Sequence, residues 1–127
     1  MVRLLWIALG GAVGTAARYL LSGWIARSAG PGFPWGTFAV NTIGSFLLGL
    51  LMRATLGSPS FSPTLRLALS VGVLGGFTTY STFNYETLRS IEEGAWGIAF
   101  ANLGATLLGC LLAGWLGLAV GRWLVAG

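Results

Sequence analysis

Three long stretches of this 127-residue chain contain no charged side chain: residues 28–52, 67–85 and 94–121. Each is close to, or longer than, the ~20 apolar residues that a helix needs to cross a bilayer. A fourth candidate, about residues 4–26, is interrupted by Arg18 alone. Only 8% of the residues are charged, whereas a soluble domain carries roughly 25%. The sequence therefore predicts an all-α integral membrane protein, with residues 1–127 forming a single domain in the lipid bilayer.

Three turn signals divide the chain into four transmembrane helices. RSAGPGFPW (residues 27–35) and GSPSFSPTLR (57–66) combine proline with glycine. Within the second, Ser62-Pro63 suits the N-cap and first position of a helix. In RSIEEG (89–94), Ser90 and Glu93 have the spacing of a capping box at a helix start. We therefore predict helices at about residues 4–26, 35–56, 63–89 and 91–121.

The arginines give the chain a weak orientation signal. With four spans, Arg3, Arg53, Arg66 and Arg122 fall on one side of the membrane, and Arg27 and Arg89 fall on the other. Positive charge accumulates on the cytoplasmic side of membrane proteins, but this division is only a small bias. Such a chain could insert in both orientations, and oppositely inserted copies could form an antiparallel dimer.

Small residues recur at every fourth position of the last predicted helix: Gly97, Ala101, Ala105, Gly109, Ala113, Gly117 and Gly121. Lipid tails give helices no hydrophobic reason to associate, so membrane helices pack where small residues let backbones approach. The pairs Gly10/Gly14 and Gly72/Gly76 repeat the motif. Tight helix packing is the ordinary interpretation, and a stripe of this length also favours an oligomer.

Composition argues against several functions. With one cysteine and no histidine, disulfides and the usual zinc clusters are excluded. The formal net charge of +4 comes from isolated arginines rather than from one basic face, so we do not expect a nucleic-acid partner. No pattern indicates a nucleophile–base pair, and we do not expect an enzyme. The N-terminal residues 1–17 resemble a signal peptide, but the chain downstream is equally hydrophobic.

The third predicted span carries the most polarity. GGFTTYSTFNYET (Gly75–Thr87) contains five consecutive hydroxyl-bearing residues, Thr78 to Thr82. Two glycines followed by two threonines are poor helix material, so we predict a helix break near residues 75–79. Non-helical backbone at membrane depth persists only where it is buried in protein or lines water, and its free carbonyls can hold a cation.

Two polar residues lie in the first two predicted spans. Arg18 either extends to the nearer membrane surface or faces a water-filled vestibule and attracts anions. Asn41 either makes an interhelical hydrogen bond or donates its amide to an anion. Thr37, Thr42 and Ser45 lie on neighbouring turns, so a polar stripe along this helix is predicted.

Polar and aromatic side chains follow the predicted break. Tyr80 and Phe83 are neighbours on one helix face, where they either pack in the core or present positive ring edges to an anion. Glu86 either pairs with Arg89 or serves as a functional carboxylate.

The last helix carries a weaker polar line of Asn102, Thr106 and Cys110. Taken together, the polar groups in the spans are hydrogen-bond donors, ring edges and one off-centre arginine. Several weak sites of this kind suit a small anion that loses its water in steps, since it must leave as well as enter.

These residues resemble the Fluc/CrcB fluoride channels. The resemblance rests on GxxGxxxR (residues 11–18), TFxVNxxGSFLLG (37–49) and GxxGGFTTYSTFxxE (72–86), and it covers the whole chain. It implies an antiparallel, dual-topology homodimer that exports toxic cytoplasmic fluoride passively across the bacterial inner membrane through two pores.

The resemblance also implies roles for individual residues. The backbone carbonyls of Gly75 and Thr78, at the break, would hold a structural sodium ion on the dimer axis. The expected fluoride-pore residues are Arg18, Thr37, Asn41, Tyr80, Ser81, Thr82, Phe83, Glu86 and Thr106. In that family the first aromatic is commonly phenylalanine, and the hydroxyl of Tyr80 would either donate to the anion or obstruct the path.

Two other functions are compatible with the span count. A small proton-coupled multidrug exporter also has four helices and a weak orientation bias, but it needs a membrane-embedded acidic residue, usually in the first helix, and this first helix has none. A non-transporting membrane assembly subunit would use the same polar residues for association alone.

Overall fold

The computed structural model describes residues 1–126, and all regular structure within them is helical. The elements are α1 Val2–Ala29, α2 Trp35–Thr55, α3 Pro63–Leu67, a π-helical segment Ala68–Leu74, α4 Gly75–Phe77, α5 Tyr80–Glu92 and α6 Trp96–Ala126. The predicted all-helical fold is confirmed. The first two predicted helices are matched to within a few residues at each end.

Three of the helices, α1, α2 and α6, are long and apolar enough to cross a membrane by length and composition. Their surfaces are unlike those of a soluble protein, because large apolar side chains point outward. Leu108 is 69% exposed and Trp123 is 73% exposed. Soluble domains bury most such residues, so these outward-facing side chains fit contact with lipid.

The prediction for the third turn is wrong. Ser90 lies inside α5, where its hydroxyl donates to the carbonyl of Glu86 at 3.1 Å. Gly94 ends α5 with a φ of 77°, and its N–H donates to the carbonyl of Ile91 while that of Ala95 donates to the carbonyl of Ser90. This is the Schellman ending, which needs a left-handed residue after the helix. The last helix therefore begins at Trp96 instead of residue 91.

The predicted start of the third helical region is confirmed. The Ser62 hydroxyl accepts a hydrogen bond from the N–H of Leu65 at 3.4 Å, and Pro63 occupies the first turn. Arg66 fastens this turn to the end of α2, because its guanidinium donates to the hydroxyl and the carbonyl of Thr55 at 3.0 and 2.6 Å.

Glycines bring helix backbones into direct contact at two interfaces. Between α2 and α6, a Cβ added to Gly49 would lie 2.5 Å from the carbonyl oxygen of Gly114. Between α1 and the third helical region, a Cβ on Gly76 would lie 2.7 Å from the oxygen of Gly11. The predicted packing role is confirmed for Gly76, and Gly49 has the same role although the sequence pattern did not single it out. By contrast, a Cβ on Gly97 would meet no described atom within 4 Å.

Candidate functional site

Two residues leave the helical conformation between α4 and α5. Thr78 has φ −94° and ψ 158°, and Thr79 has φ −150° and ψ 117°. Both are extended, which suits β-branched residues. An extended pair interrupts the helical hydrogen-bond ladder, so the backbone groups around it need other partners.

Asn41 of α2 supplies two of those partners. Its Oδ1 accepts a hydrogen bond from the N–H of Thr79 at 2.8 Å, and its Nδ2 donates to the carbonyl of Thr79 at 3.1 Å. Asn41 is only 9% exposed. The interhelical hydrogen bond that the sequence left as one alternative is therefore present. The second hydrogen on Nδ2 remains for another acceptor, because an amide nitrogen carries two donors.

Thr79 is also the N-cap of α5. Its hydroxyl oxygen accepts the N–H of Thr82 at 3.2 Å, and the same hydroxyl donates to Oγ1 of Thr82 at 3.1 Å. Threonine is a good N-cap residue because its side chain replaces a missing helical acceptor. The site residue Thr82 is thus held against the break.

Arg18 lies against α4. Its Nε donates to the carbonyl of Gly76 at 3.0 Å, and the residue is half-buried. Part of the guanidinium is therefore held by the protein rather than extended freely toward the membrane surface. This contact joins α1 to the segment that precedes the break.

A cavity of about 640 Å³ opens beside the break. Six of the predicted site residues line it: Asn41, Gly75, Thr78, Tyr80, Phe83 and Thr106. The remaining lining residues are mostly apolar or small, with Leu48, Leu103 and Leu107 among them. The structure therefore brings side chains from α2, α5 and α6 to one concave surface.

Two aromatic rings that line this cavity contact each other. The ring centroids of Tyr80 and Phe83 lie 5.9 Å apart at 66° to each other, so the contact is edge to face. Tyr80 is 78% exposed, which argues against packing in the core of a single chain. Tilted rings present edges of positive potential.

A short chain of hydrogen bonds ties α5 to α6 and ends at Thr106, which lines the cavity. Asn102 Nδ2 donates to Thr87 Oγ1 at 2.9 Å, and Thr87 Oγ1 donates to the carbonyl of Phe83 at 2.9 Å. Thr106 Oγ1 donates to Asn102 Oδ1 at 3.2 Å. Asn102 is 2% exposed and Thr87 is 5% exposed, so the bond between them is shielded from water.

The direction of this chain of hydrogen bonds follows from its ends. The Phe83 carbonyl can only accept, so Thr87 must donate its hydroxyl hydrogen and accept from the Asn102 amide. The amide oxygen of Asn102 is then aimed at Thr106, which must donate. The Thr106 hydroxyl therefore turns its lone pairs, and not its hydrogen, toward the cavity.

Five predicted site residues lie away from this cavity: Arg18, Thr37, Ser81, Thr82 and Glu86. Glu86 lines a second cavity, of about 670 Å³, together with Arg27 and Arg89. Its Oε1 is buried and has no hydrogen-bond partner among the residues described, and Thr37 lies beside the carboxylate.

Of the two alternatives for Glu86, a salt bridge with Arg89 is not formed among the described residues. Arg89 Nε instead contacts Glu93 Oε1 at 3.0 Å, and both side chains are exposed. This partner is preferred because Glu93 is one helical turn ahead and both side chains point to solvent. Such an exposed pair contributes little to stability.

Backbone carbonyls are the groups that could hold a cation here. Within residues 1–126 no cluster of three histidine, cysteine or acidic residues is present. The carbonyls of Gly75 and Thr78 do not receive the N–H four residues ahead, because the N–H of Thr79 goes to Asn41 and that of Thr82 goes to the Thr79 side chain. These oxygens therefore fit a hard cation such as sodium.

The sequence did not indicate the roles of two residues at this site. Thr79 was expected only as part of the break, and Thr87 was not singled out. A threonine inside a helix usually bonds its own backbone, so Thr87 gives no signal by itself. Its role becomes visible only once Asn102 is placed opposite.

Sequence comparison identifies the family. The sequence model described as CrcB-like protein, Camphor Resistance (CrcB), matches residues 5–118. The chain belongs to the CrcB family. A protein named fluoride-specific ion channel FluC from Sorangium cellulosum (strain So ce56) is 57% identical over 127 residues, covering 100% of both chains.

Two further relatives carry the same name. The one from Anaeromyxobacter dehalogenans (strain 2CP-1 / ATCC BAA-258) is 55% identical, with 98% of both chains covered. The one from Geobacter sulfurreducens (strain ATCC 51573 / DSM 12127 / PCA) is 50% identical, with 98% of this chain and 100% of the relative covered. The resemblance drawn from the sequence motifs is thus confirmed for this CrcB chain along its full length.

Proposed function

We propose that this CrcB protein is a fluoride-selective ion channel, a multi-pass protein of the bacterial membrane that lets cytoplasmic fluoride leave passively and so protects the cell. The observation that carries this function is the 57% identity over the whole chain to a protein named as a fluoride-specific channel. The cavity beside the break supports it, because donors and ring edges converge there. Channel function also means that the chain is not an enzyme.

The hydrogen-bond donors of the cavity favour a path along α2 and α5. The hydroxyls of Ser45, Ser70, Thr78 and Thr106 are already committed to Asn41 O, Arg66 O, Leu74 O and Asn102 Oδ1. By contrast, the second Nδ2 hydrogen of Asn41 and the phenol hydrogen of Tyr80 are not donated to an acceptor among the residues described. A fluoride ion that has lost part of its water would meet these donors and the ring edge of Phe83.

The residues outside this cavity extend the proposed path. Glu86 lines the second cavity together with Arg27 and Arg89, and Thr37 lies beside its carboxylate. Arg18, Ser81 and Thr82 belong to the same proposal, as residues that hold or flank the break. An anion moving between the two cavities would pass along α5.

The functional unit in this proposal is an antiparallel, dual-topology homodimer with two pores. The exposed, cavity-facing Tyr80 and the uncovered small residues of α6, such as Gly97, leave a surface that a second copy would cover. The weak arginine bias permits both orientations. Helices in lipid associate through such small residues.

A sodium ion at the dimer axis completes the proposal, with the break in the third span at mid-membrane depth. The carbonyls of Gly75 and Thr78 would hold the ion, and its positive charge would offset the carbonyl dipoles of the two broken helices. No carboxylate is needed at such a site, since carbonyl oxygens alone can replace the hydration shell of an alkali cation.

Fluoride efflux from liposomes tests the function. Purified protein is reconstituted, potassium fluoride is loaded, and valinomycin balances the charge while an electrode records fluoride. We expect rapid fluoride efflux with no proton gradient, and no comparable efflux of chloride. The variant Phe83→Ile should slow efflux, whereas Leu20→Ile, on the outward face of α1, should not.

The same vesicles discriminate against the multidrug exporter. That function predicts uptake of a cationic dye driven by a proton gradient, which would overturn the channel proposal if it occurred without fluoride efflux. Within the described parts of α1 and α2 no acidic side chain is present to exchange protons. The exporter is therefore not favoured.

A further inference from the structure

Two side chains at the break intercept backbone N–H groups. In an α-helix each N–H donates to the carbonyl four residues earlier. Across the break, the N–H of Thr79 would close the helix onto Gly75, and the N–H of Thr82 would close it onto Thr78. Both N–H groups donate to side chains instead.

Asn41 takes the first of these N–H groups. Its Oδ1 lies 2.8 Å from the nitrogen of Thr79, and its Nδ2 also binds the carbonyl of Thr79 at 3.1 Å. Two hydrogen bonds to one residue fix the extended conformation as well as the distance. Since Asn41 is 9% exposed, water competes poorly for either bond.

Thr79 takes the second N–H with its own hydroxyl. The oxygen accepts from the nitrogen of Thr82 at 3.2 Å and donates its hydrogen to the Thr82 hydroxyl at 3.1 Å. The N-cap of α5 thereby leaves the carbonyl of Thr78 without its helical donor. The intervening carbonyl of Gly76 is in turn occupied by Arg18.

From this pattern we infer that Asn41 and Thr79 are positioning residues that keep the Gly75 and Thr78 carbonyls free to bind an alkali cation. Each residue acts by engaging a hydrogen-bond donor that would otherwise compete with the ion. Neither residue touches the ion itself. The inference rests on the proposed sodium site, and it gives the buried amide of Asn41 a task that is independent of anion contact.

Sodium binding, measured without fluoride, tests this inference. The purified protein in detergent is titrated with sodium chloride against N-methyl-D-glucamine chloride at constant ionic strength. The unfolding temperature and titration calorimetry report the half-saturating sodium concentration. A ligand that binds the folded state raises the unfolding temperature by mass action, so no flux measurement is required.

Two isosteric substitutions remove the intercepting groups. In Asn41→Leu the N–H of Thr79 is released toward Gly75, and in Thr79→Val the N–H of Thr82 is released toward Thr78. Each should raise the half-saturating sodium concentration about tenfold, the effect of one net hydrogen bond that competes with the ion. Thr42→Val, the next residue on α2, should leave it unchanged.

The conservative variant Thr79→Ser separates hydrogen bonding from packing. Serine keeps the hydroxyl but loses a methyl group, whereas valine keeps the shape. We expect sodium binding close to wild type in Thr79→Ser and weakened binding in Thr79→Val. The reverse order would mean that Thr79 acts through packing, and the inference would be overturned.

Two further results would also overturn it, in distinguishable ways. Normal sodium affinity in both Thr79→Val and a folded Asn41→Leu would refute the positioning role and leave the sodium site standing. Absence of any sodium-specific stabilisation of the wild type would remove the site itself. The proposed fluoride-channel function is tested separately, by fluoride efflux from liposomes.

Discussion

The two sides of α2 contact neighbouring backbone in different ways. Toward α6, the backbones touch because glycines leave no side chain between them, as at Gly49 and Gly117. Toward the break, α2 reaches the backbone of Thr79 through the amide of Asn41. The first interface depends on missing volume, whereas the second depends on a hydrogen-bonding group in addition to missing volume at Gly44, where an added Cβ would collide with the Thr78 side chain.

This difference sets which substitutions each side should tolerate. An apolar interface in lipid is stabilised by close contact, so an added methyl group is harmful there and polarity is irrelevant. At the break, a buried backbone group without a partner is costly. A substitution that keeps the side-chain shape but removes its hydrogen-bonding group should therefore reduce stability or ion binding. The contrast between volume and polarity can be measured directly.

The largest effect should come from added volume at the glycine interface. In Gly117→Ala the new Cβ would collide with the carbonyl of Phe46 and lie 2.9 Å from the nitrogen of Leu50. Backbone atoms cannot move aside as a side chain does, so we expect a loss of about 3 kcal/mol. Unfolding in detergent by denaturant or heat measures it.

Gly114→Ala is the matched control on the same helix. Its Cβ would lie 3.7 Å from the nearest neighbour, the carbonyl of Ser45, which is an ordinary contact. Alanine also favours a helix interior by up to about 1 kcal/mol relative to glycine. Equal destabilisation of both variants would show that the interface does not depend on local volume.

The second effect should come from removing a buried amide of the polar region. Asn102→Leu keeps the approximate size but leaves the hydroxyl of Thr106 without its acceptor and that of Thr87 without its donor. Unsatisfied buried groups cost about 1–3 kcal/mol each, so we expect a loss of about 2 kcal/mol and slower fluoride efflux. A stability equal to wild type would show that this network contributes little.

How far the sequence predicts the fold depends on how local each signal is. The charge-free stretches and the proline-containing turns placed α1 and α2, because these signals act within one segment. The third turn failed because Ser90 and Glu93 have capping-box spacing while Gly94 ends the preceding helix. Only the glycine adopts the required left-handed backbone, and the spacing of the other two was coincidental.

The candidate site was predictable where polarity in an apolar chain is itself the signal. Asn41, Tyr80 and Thr106 were singled out in this way, and all three line the cavity. What they bind could not be read from the sequence, since Asn41 takes its partner at the break, and the direction of the Thr106 hydrogen bond depends on the bond that Asn102 makes to Thr87 on α5. Hydrogen-bond direction is a property of the assembled network and not of any one residue.

A smaller effect should follow removal of the phenol that lines the cavity. Tyr80→Phe keeps the ring and its edge contact with Phe83 but removes one donor that can face the anion. Because Tyr80 is 78% exposed and water can partly replace the hydroxyl, we expect fluoride efflux to slow about threefold, since a hydrogen bond in water has a small net value. Faster efflux in this variant would mean that the hydroxyl obstructs the path.

The smallest effect should come from Thr106→Val, although Thr106 lines the same cavity as Asn41. Its hydroxyl hydrogen is committed to Asn102, so an anion gains no donor from it. Valine keeps the shape; the hydrogen it removes is the one donated to Asn102, and what it removes from the cavity is lone pairs, which repel an anion. We therefore expect fluoride efflux within about twofold of wild type, because the hydrogen bond lost is not one made to the anion.

The double variant Asn102→Leu/Thr106→Val completes this comparison. If Asn102 controls the direction of the Thr106 hydroxyl, the effect of Thr106→Val should depend on which residue occupies position 102, because coupled neighbours are not additive. Efflux rates of the two single variants and the double variant, measured in the same vesicles, give this coupling. A large loss of efflux in Thr106→Val alone would show that the hydroxyl donates to fluoride and that its hydrogen is free. Polarity at this wall of the cavity would then act through direct contact with the anion, as proposed for the Asn41 amide on α2.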